Sequence, residues 1–284
     1  MLDSISPPLR IGTVAVAVHD LDRVRRFYEQ VIGLREIEAG ADTARLGTAD
    51  QVLIELRREP RARFRSPREA GLFHTAFLLP TRADLGRWIV HAARSRFPLQ
   101  GASDHAVSEA VYLADPEGNG IEIYSDRPRD TWRWSKGEVV LTTDHLDTDD
   151  LIRDGGSEPW RGVPAGTTIG HVHLQVGAIA PAEAFYAGVL GVPLTARYPG
   201  GSFYGSNGYH HHLATNVWNS RNAAPRTEPT TGLANIDLVS ADAAMLNDVA
   251  HRAAAGGFAV RRQASALNLR DPWGTSLTLN APGT

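Results

Sequence analysis

The sequence predicts an α+β fold built from four βαβββ modules. Three observations carry this reading. First, the chain repeats itself: IGTVAVAV from Ile11 to Val18 matches IGHVHLQV from Ile169 to Val176, an offset of 158 (residue 169 against residue 11). Phe27, Tyr28 and Gly33 meet Phe185, Tyr186 and Gly191 at the same offset, so the repeat keeps its register. Second, Gly71 to Leu78 (GLFHTAFL) resembles Gly232 to Val239 (GLANIDLV), and Asp115 to Ile123 (DPEGNGIEI) resembles Asp271 to Leu279 (DPWGTSLTL). Third, each unit shows one order, an alternating apolar run, then a helical pattern, then short alternating segments parted by turn residues.

The units begin near residues 10, 71, 168 and 231. In the first, Val14, Val16 and Val18 alternate with smaller residues, the period of a strand with one buried face. Helices are expected over 22–31, 83–95, 181–190 and 243–255. Gly33 and Gly191 stand just beyond two of these, where a left-handed C-cap is expected. The Asp-Pro-Glu-Gly sequence at Asp115 marks a tight turn before a last strand. The expected domains are an N-terminal half, 1–126, holding modules one and two, and a C-terminal half, 168–284, holding modules three and four. Residues 127–167, rich in Trp, Gly, Pro and acids, read as the connector.

Composition excludes several classes of function. With 284 residues, 42% hydrophobic, and a net charge of -3, the chain can bury a large core and has no bias toward nucleic acid or anionic membranes. The arginine-rich stretch from Arg57 to Arg68, broken by Pro60 and Pro67, reads as a solvated loop between units more readily than as a basic docking patch. The chain has no cysteine, which excludes disulfides, thiolate metal sites and thiol catalysis. No apolar run resembles a signal peptide or membrane span. A cytoplasmic protein without nucleic-acid or membrane partners is expected.

Of the 11 histidines, His19, His91, His145 and His251 read as ordinary surface or half-buried residues. His74 opens module two and His171 opens module three. Glu122, between Ile121 and Ile123 on the last strand of module two, must point away from both isoleucines. Four βαβββ modules of this kind resemble the vicinal oxygen chelate superfamily over nearly the whole chain. The resemblance implies that modules pair into two cup-shaped half-barrels, with a metal on inward-facing strand residues, and it puts a ligand at His171. Two imidazoles and one carboxylate leave open positions on an octahedral ion, an arrangement suited to non-haem Fe(II), with Mn(II) as the alternative. His74, Glu122 and His171 are the expected metal ligands. Their counterparts in modules one and four are Thr13, Asn235 and Thr278, so a complete set exists only if module two pairs with three and one with four. His173 shares a face with His171 and competes with it; repeat register and the superfamily pattern favour His171. A non-catalytic role for the three, as hydrogen-bonded buried polar groups of a binding protein, is the competing reading.

The stretch from Ala102 to Glu122, with His105, Tyr112 and Asp115-Pro-Glu-Gly118, resembles the signature of extradiol ring-cleavage dioxygenases of the catechol 2,3-dioxygenase type. Ser103 is its one departure. His210-His211-His212-Leu213-Ala214 resembles the family's His-His-x-x-Ala segment, whose second histidine, here His211, is the pocket acid–base. A strand there would send His210 and His212 to the opposite face. The resemblance implies extradiol (meta) cleavage of a catechol by O2, giving a muconic semialdehyde-type product. In it His211 moves protons, His105 hydrogen-bonds to the oxygen co-substrate and Tyr112 to a substrate oxygen. Rival readings are another metal-dependent enzyme of the superfamily (glyoxalase, epimerase, thiol transferase or hydroquinone dioxygenase) and a small-molecule binding protein. Phe203, Tyr204, Tyr209 and Trp218 are candidates for the pocket wall. Homo-oligomers are common among such enzymes, but no interface is readable in the chain.

Overall fold

The structure, a computed structural model, describes residues 9–227 and 229–281. Module one runs β1 (Leu9–Val18), α1 (Leu21–Phe27), β2 (Arg35–Ala39), β3 (Thr43–Gly47) and β4 (Val52–Arg58). Module two runs β5 (Gly71–Leu78), α2 (Arg82–Ser95), β6 (Gly101–Asp104), β7 (Ser108–Ala114) and β8 (Gly120–Asp126). The segment after it forms a small hairpin, β9 (Trp134–Ser135) and β10 (Glu138–Val139), and the helix α3 (Thr148–Gly155). Module three runs β11 (Thr168–Gln175), α4 (Ile179–Glu183), β12 (Leu194–Tyr198), β13 (Gly201–Tyr204) and β14 (Leu213–Asn216). Module four runs β15 (Gly232–Ser240), α5 (Ala244–Ala255), β16 (Val260–Gln263), β17 (Ala266–Arg270) and β18 (Ser276–Asn280).

Within every module the first strand pairs parallel with the last, as β1–β4, β5–β8, β11–β14 and β15–β18. Parallel neighbours need a crossover, and the module's helix supplies part of it. Modules then join through their first strands. Antiparallel β1–β15 makes one eight-stranded sheet from modules one and four, and antiparallel β5–β11 makes a second from modules two and three. This is the expected pairing, two curled sheets that each take one module from either half of the chain.

Alternation along β11 explains how one strand serves core and site together. Val172, Leu174 and Val176 enter the apolar core with Val14, Val16 and Val18 of β1 and Phe185 and Tyr186. His171 and His173 take the other face. Two irregularities break the β5–β11 ladder, one at Gly170 and one at Phe73. At Phe73 the bulge turns two consecutive side chains, Phe73 and His74, toward the same cavity.

The helical pattern of module one, expected over 22–31, is found over 21–32, but only its first part is α-helix. α1 stops at Phe27 and widens into a π turn, Tyr28–Ile32, because the Tyr28 carbonyl accepts from both Gly33 and Leu34. Module three repeats this, with α4 passing into a π turn over Ala184–Val189. Gly33, at φ 90°, is the left-handed cap expected there. The arginine-rich stretch is not simply a solvated loop. Arg65 is half-buried and donates to the carbonyls of Glu69 and Leu72 and to Gln175 Oε1, so it ties the loop to module three.

Candidate metal centre

β11, β5 and β8 lie side by side in the middle of the second sheet. Ala76 of β5 is in register with His171 on one side and Glu122 on the other. His74 stands two residues before Ala76 on the same face, so the three side chains converge over one methyl group. Glu122 Oε2 lies 3.0 Å from His74 Nε2 and 3.2 Å from His171 Nε2. One ligand atom from each residue falls within 4.8 Å of the others, and all three residues are buried.

The electrostatics agree with a site for a cation. Burial works to raise the Glu122 carboxyl, but His171 and His74 outweigh it and hold the group well below the usual range. Burial lowers His171, with Glu122 opposing. Despite its short distance to Glu122, His74 Nε2 makes no aligned hydrogen bond. A buried imidazole nitrogen left without a partner is costly, and a divalent first-row metal accepting two imidazoles and one carboxylate would satisfy it.

Above the triad opens a cavity of about 280 Å³. His105 and Tyr112 both line it and are bonded to each other, His105 Nε2 to Tyr112 Oη at 2.6 Å. The Thr142 carbonyl, 2.6 Å from His105 Nδ1, can only accept, so Nδ1 carries a proton, and with a single proton on the ring the Tyr112 hydroxyl donates to Nε2. Burial first, then the Glu122 charge, keeps the Tyr112 phenol well above its ordinary value. Tyr112 is thus a neutral donor.

His211 also lines the cavity, its ring centroid 4.2 Å from that of His171. The histidine tract is not on a strand, because β14 begins only at Leu213. Freed from alternation, His210 does not turn to the opposite face. Its Nδ1 is 2.8 Å from His211 Nδ1, and its Nε2 is 2.9 Å from Asp126 Oδ1. His212 turns away, accepting from the Ser206 amide. His173 lines the cavity, but its Nε2 is engaged by the Asn216 amide at 3.0 Å.

Of the four aromatic wall candidates, Phe203 and Trp218 line the cavity. Tyr204 is in the core, bonded to Thr215, and Tyr209 stacks behind on His210. Sequence reading missed Phe73, Tyr198, Leu141, Thr142 and Thr143. The last three belong to the segment read as a connector, which supplies part of the cavity wall, with Leu141 packed on the cluster of Val107, Phe203 and Ala214. Nothing periodic marks that segment, so no signal for it existed.

The model of the glyoxalase/bleomycin resistance protein/dioxygenase superfamily matches residues 10–123 and 168–275, and the chain belongs to that superfamily. Its relatives include the catechol-2,3-dioxygenase of Bacillus subtilis, 38% identical over 277 residues that cover 95% of this chain and 96% of that protein. A shorter match, 33% identical over 85 residues, joins 28% of the chain to 43% of the biphenyl-2,3-diol 1,2-dioxygenase 3 of Rhodococcus globerulus. Among solved structures, a candidate dioxygenase of Bacillus subtilis superposes with a TM-score of 0.63 at 14% identity, covering 98% of this chain and 87% of that one. Glyoxalase I of Zea mays superposes at 0.57 with 15% identity, covering 96% and 92%. At such identities these likenesses concern the fold alone, and a glyoxalase sharing it shows that the fold does not select the chemistry.

Proposed function

We propose that this protein is an extradiol dioxygenase that opens catechol-type rings with O2, using Fe(II), or Mn(II), held by His74, Glu122 and His171. The observation that carries the proposal is the convergence of these three buried side chains at the floor of a cavity whose walls include His211, His105 and Tyr112. The resemblance to a catechol-2,3-dioxygenase along nearly the whole chain supports it. When bound, the ion would supply Lewis acidity and redox chemistry toward ring and dioxygen.

The protein's own groups supply the remainder. Burial, and then the neighbouring histidines, lowers His211 well below the ordinary imidazole range, so at neutral pH its ring meets substrate as a neutral proton acceptor. It takes a catechol proton and returns it later in the reaction. The Tyr112 hydroxyl, held by His105, is positioned to exchange that partner for a substrate oxygen as charge develops there. Apolar walls at Phe73, Leu141 and Phe203 exclude water around the ring.

The test is aerobic addition of catechol to the Fe(II)-loaded protein with quantified iron. A yellow ring-opened semialdehyde is expected, with turnover lowered by about 10²–10⁴ in His211→Ala. Bound iron without ring-opened product across a panel of catechols would favour another reaction of the superfamily or a binding role. Unchanged turnover in His211→Ala would remove its acid–base role.

A further inference from the structure

Behind His211 stands a hydrogen-bonded chain that the triad and cavity do not require. Asp126 is at the end of β8, on the face that carries Glu122 and Tyr124. Its Oδ1 lies 2.9 Å from His210 Nε2 and also accepts from the Tyr209 hydroxyl at 3.2 Å. That hydroxyl in turn lies 2.9 Å from Tyr124 Oη. His210 is fully buried between Tyr209, Trp132 and His211, so its ring has little freedom to turn.

With one proton on each imidazole, donor and acceptor counting places both protons. A carboxylate can only accept, so the single proton of a neutral His210 is on Nε2, facing Asp126. His210 Nδ1 is left as a bare acceptor. The 2.8 Å contact between the two Nδ1 atoms needs one proton between them, and only His211 can provide it. His211 therefore carries its proton on Nδ1, and its Nε2 is bare.

We infer that Asp126 and His210 are positioning residues that lock His211 in the Nδ1–H tautomer, with Nε2 presented as the proton-accepting atom. Without this chain His211 could carry its proton on Nε2, where it would be the wrong partner for a catechol hydroxyl. Loss of the analogous carboxylate support behind other functional histidines acts through tautomer and orientation. The inference rests on the proposed role of His211 as the proton carrier.

Two measurements test it, and the first does not depend on turnover. Long-range ¹H–¹⁵N correlation spectra of the full-length, ¹⁵N-histidine-labelled protein near neutral pH should show His211 protonated on Nδ1 and His210 on Nε2. A His211 protonated on Nε2, or a doubly protonated His210, overturns the inference even if catechol cleavage is confirmed. The expected tautomers without catechol cleavage would instead count against the dioxygenase reading alone. The second measurement compares His210→Phe, which removes the acceptor, with His210→Asn, whose amide oxygen can stand near the imidazole Nδ1. His210→Phe should lower kcat by about 10–100-fold at unchanged KM and iron content, and His210→Asn should recover part of it. Equal loss in both variants, loss that follows iron content, or no loss in His210→Phe overturns the inference.

Discussion

Gly170, the residue before the proposed ligand His171, gives the sharpest test of how the cup is built. A Cβ there would stand 1.7 Å from Tyr124 Oη, 2.8 Å from its Cζ and 3.1 Å from Leu78 Cβ. Ordinary contact needs about 1.5 Å more for the hydroxyl alone. Tyr124 is fully buried, and its hydroxyl is bonded to Tyr209 at 2.9 Å, so the ring has nowhere to go without breaking that bond. Overpacking costs about 1–3 kcal/mol and a lost buried hydrogen bond about 1 kcal/mol. Gly170→Ala should therefore destabilise by roughly 2–4 kcal/mol in urea denaturation of the metal-free protein. Iron affinity should fall with it, because the Tyr124 ring is 4.9 Å from His171. Tyr124→Phe removes the nearest atom, so in the double variant part of the cost should disappear, a coupling of at least about 1 kcal/mol. A Gly170→Ala change smaller than about 0.5 kcal/mol, or strict additivity, would refute the close approach of β11 to the Tyr124 hydroxyl.

Ala76→Leu should fill the space over which the ligands converge and abolish iron binding, measured by metal analysis, while the overpacking cost stays near 1–3 kcal/mol; full iron content would contradict the placement. Fe(II) should raise the melting temperature of the wild type by mass-action linkage, about 2.7 kcal/mol at a hundredfold excess over Kd. Glu122→Gln should lose most of that shift. Acid should destabilise the metal-free fold through His173, His211 and His212, all lowered by burial, His212 from 6.5 to about 3. The unfolded chain takes up protons near pH 6.5 that the folded chain refuses, so this stability is present above pH 6.5 and lost below it. The loss amounts to about 1 kcal/mol per histidine between pH 6.5 and 5.5, and a flat urea midpoint over that range would count against it. Finally, among the described residues the cavity wall holds no arginine or lysine and several apolar groups, among them Phe73, Val107, Leu141 and Trp218. Alkyl or aryl catechols should show kcat/KM at least about tenfold above carboxylated ones; a preference for the carboxylated compounds would show that the wall has been misjudged.

What could be read from the chain, and what could not, follows from the range of the forces involved. Module order was legible because apolar alternation and matched turns are local, and because Ile11-Gly12 and Ile169-Gly170 repeat a sequence the backbone needs. Gly12 and Gly170 both sit at irregularities in their ladders, against Asp237 and Tyr124 respectively. The pairing of modules was legible only indirectly, through the asymmetry between His74, Glu122, His171 and their counterparts. The histidine tract was misplaced because a strand period was assumed across Tyr209 to His212, where the chain instead bends before β14. The part of the cavity wall from Leu141 to Thr143 was invisible, since a segment held by tertiary contacts to Phe203 and His105 has no period to betray it.

The first sheet offers the contrast that gives the triad its meaning. It has the same strand order, and Asn235 and Thr278 occupy the places of His74 and Glu122. There the polar groups satisfy one another. Asn235 donates to Asp237 at 2.8 Å, and the Thr278 hydroxyl lies 3.2 Å from Asn235 Oδ1 and 3.0 Å from Asn268 Oδ1. Asn and Thr side chains with one carboxyl to accept from them can close such a network without a metal ion. In the second sheet the equivalent positions hold larger groups, fully buried, with Ala76 where the first has Asp237. They come within 3.0–3.2 Å of Glu122, yet His74 Nε2 has no hydrogen bond there. Had folding stability alone shaped both sheets, the self-satisfied arrangement would serve in each, since an unpartnered buried nitrogen costs about 1–3 kcal/mol. Convergence with incomplete mutual satisfaction, His171 bonded to Glu122 at 3.2 Å but His74 Nε2 not, is what the proposed ligand set needs if a metal completes it. On the proposed function the same scaffold carries a structural half and a chemical half, and the difference lies in a few inward-facing residues.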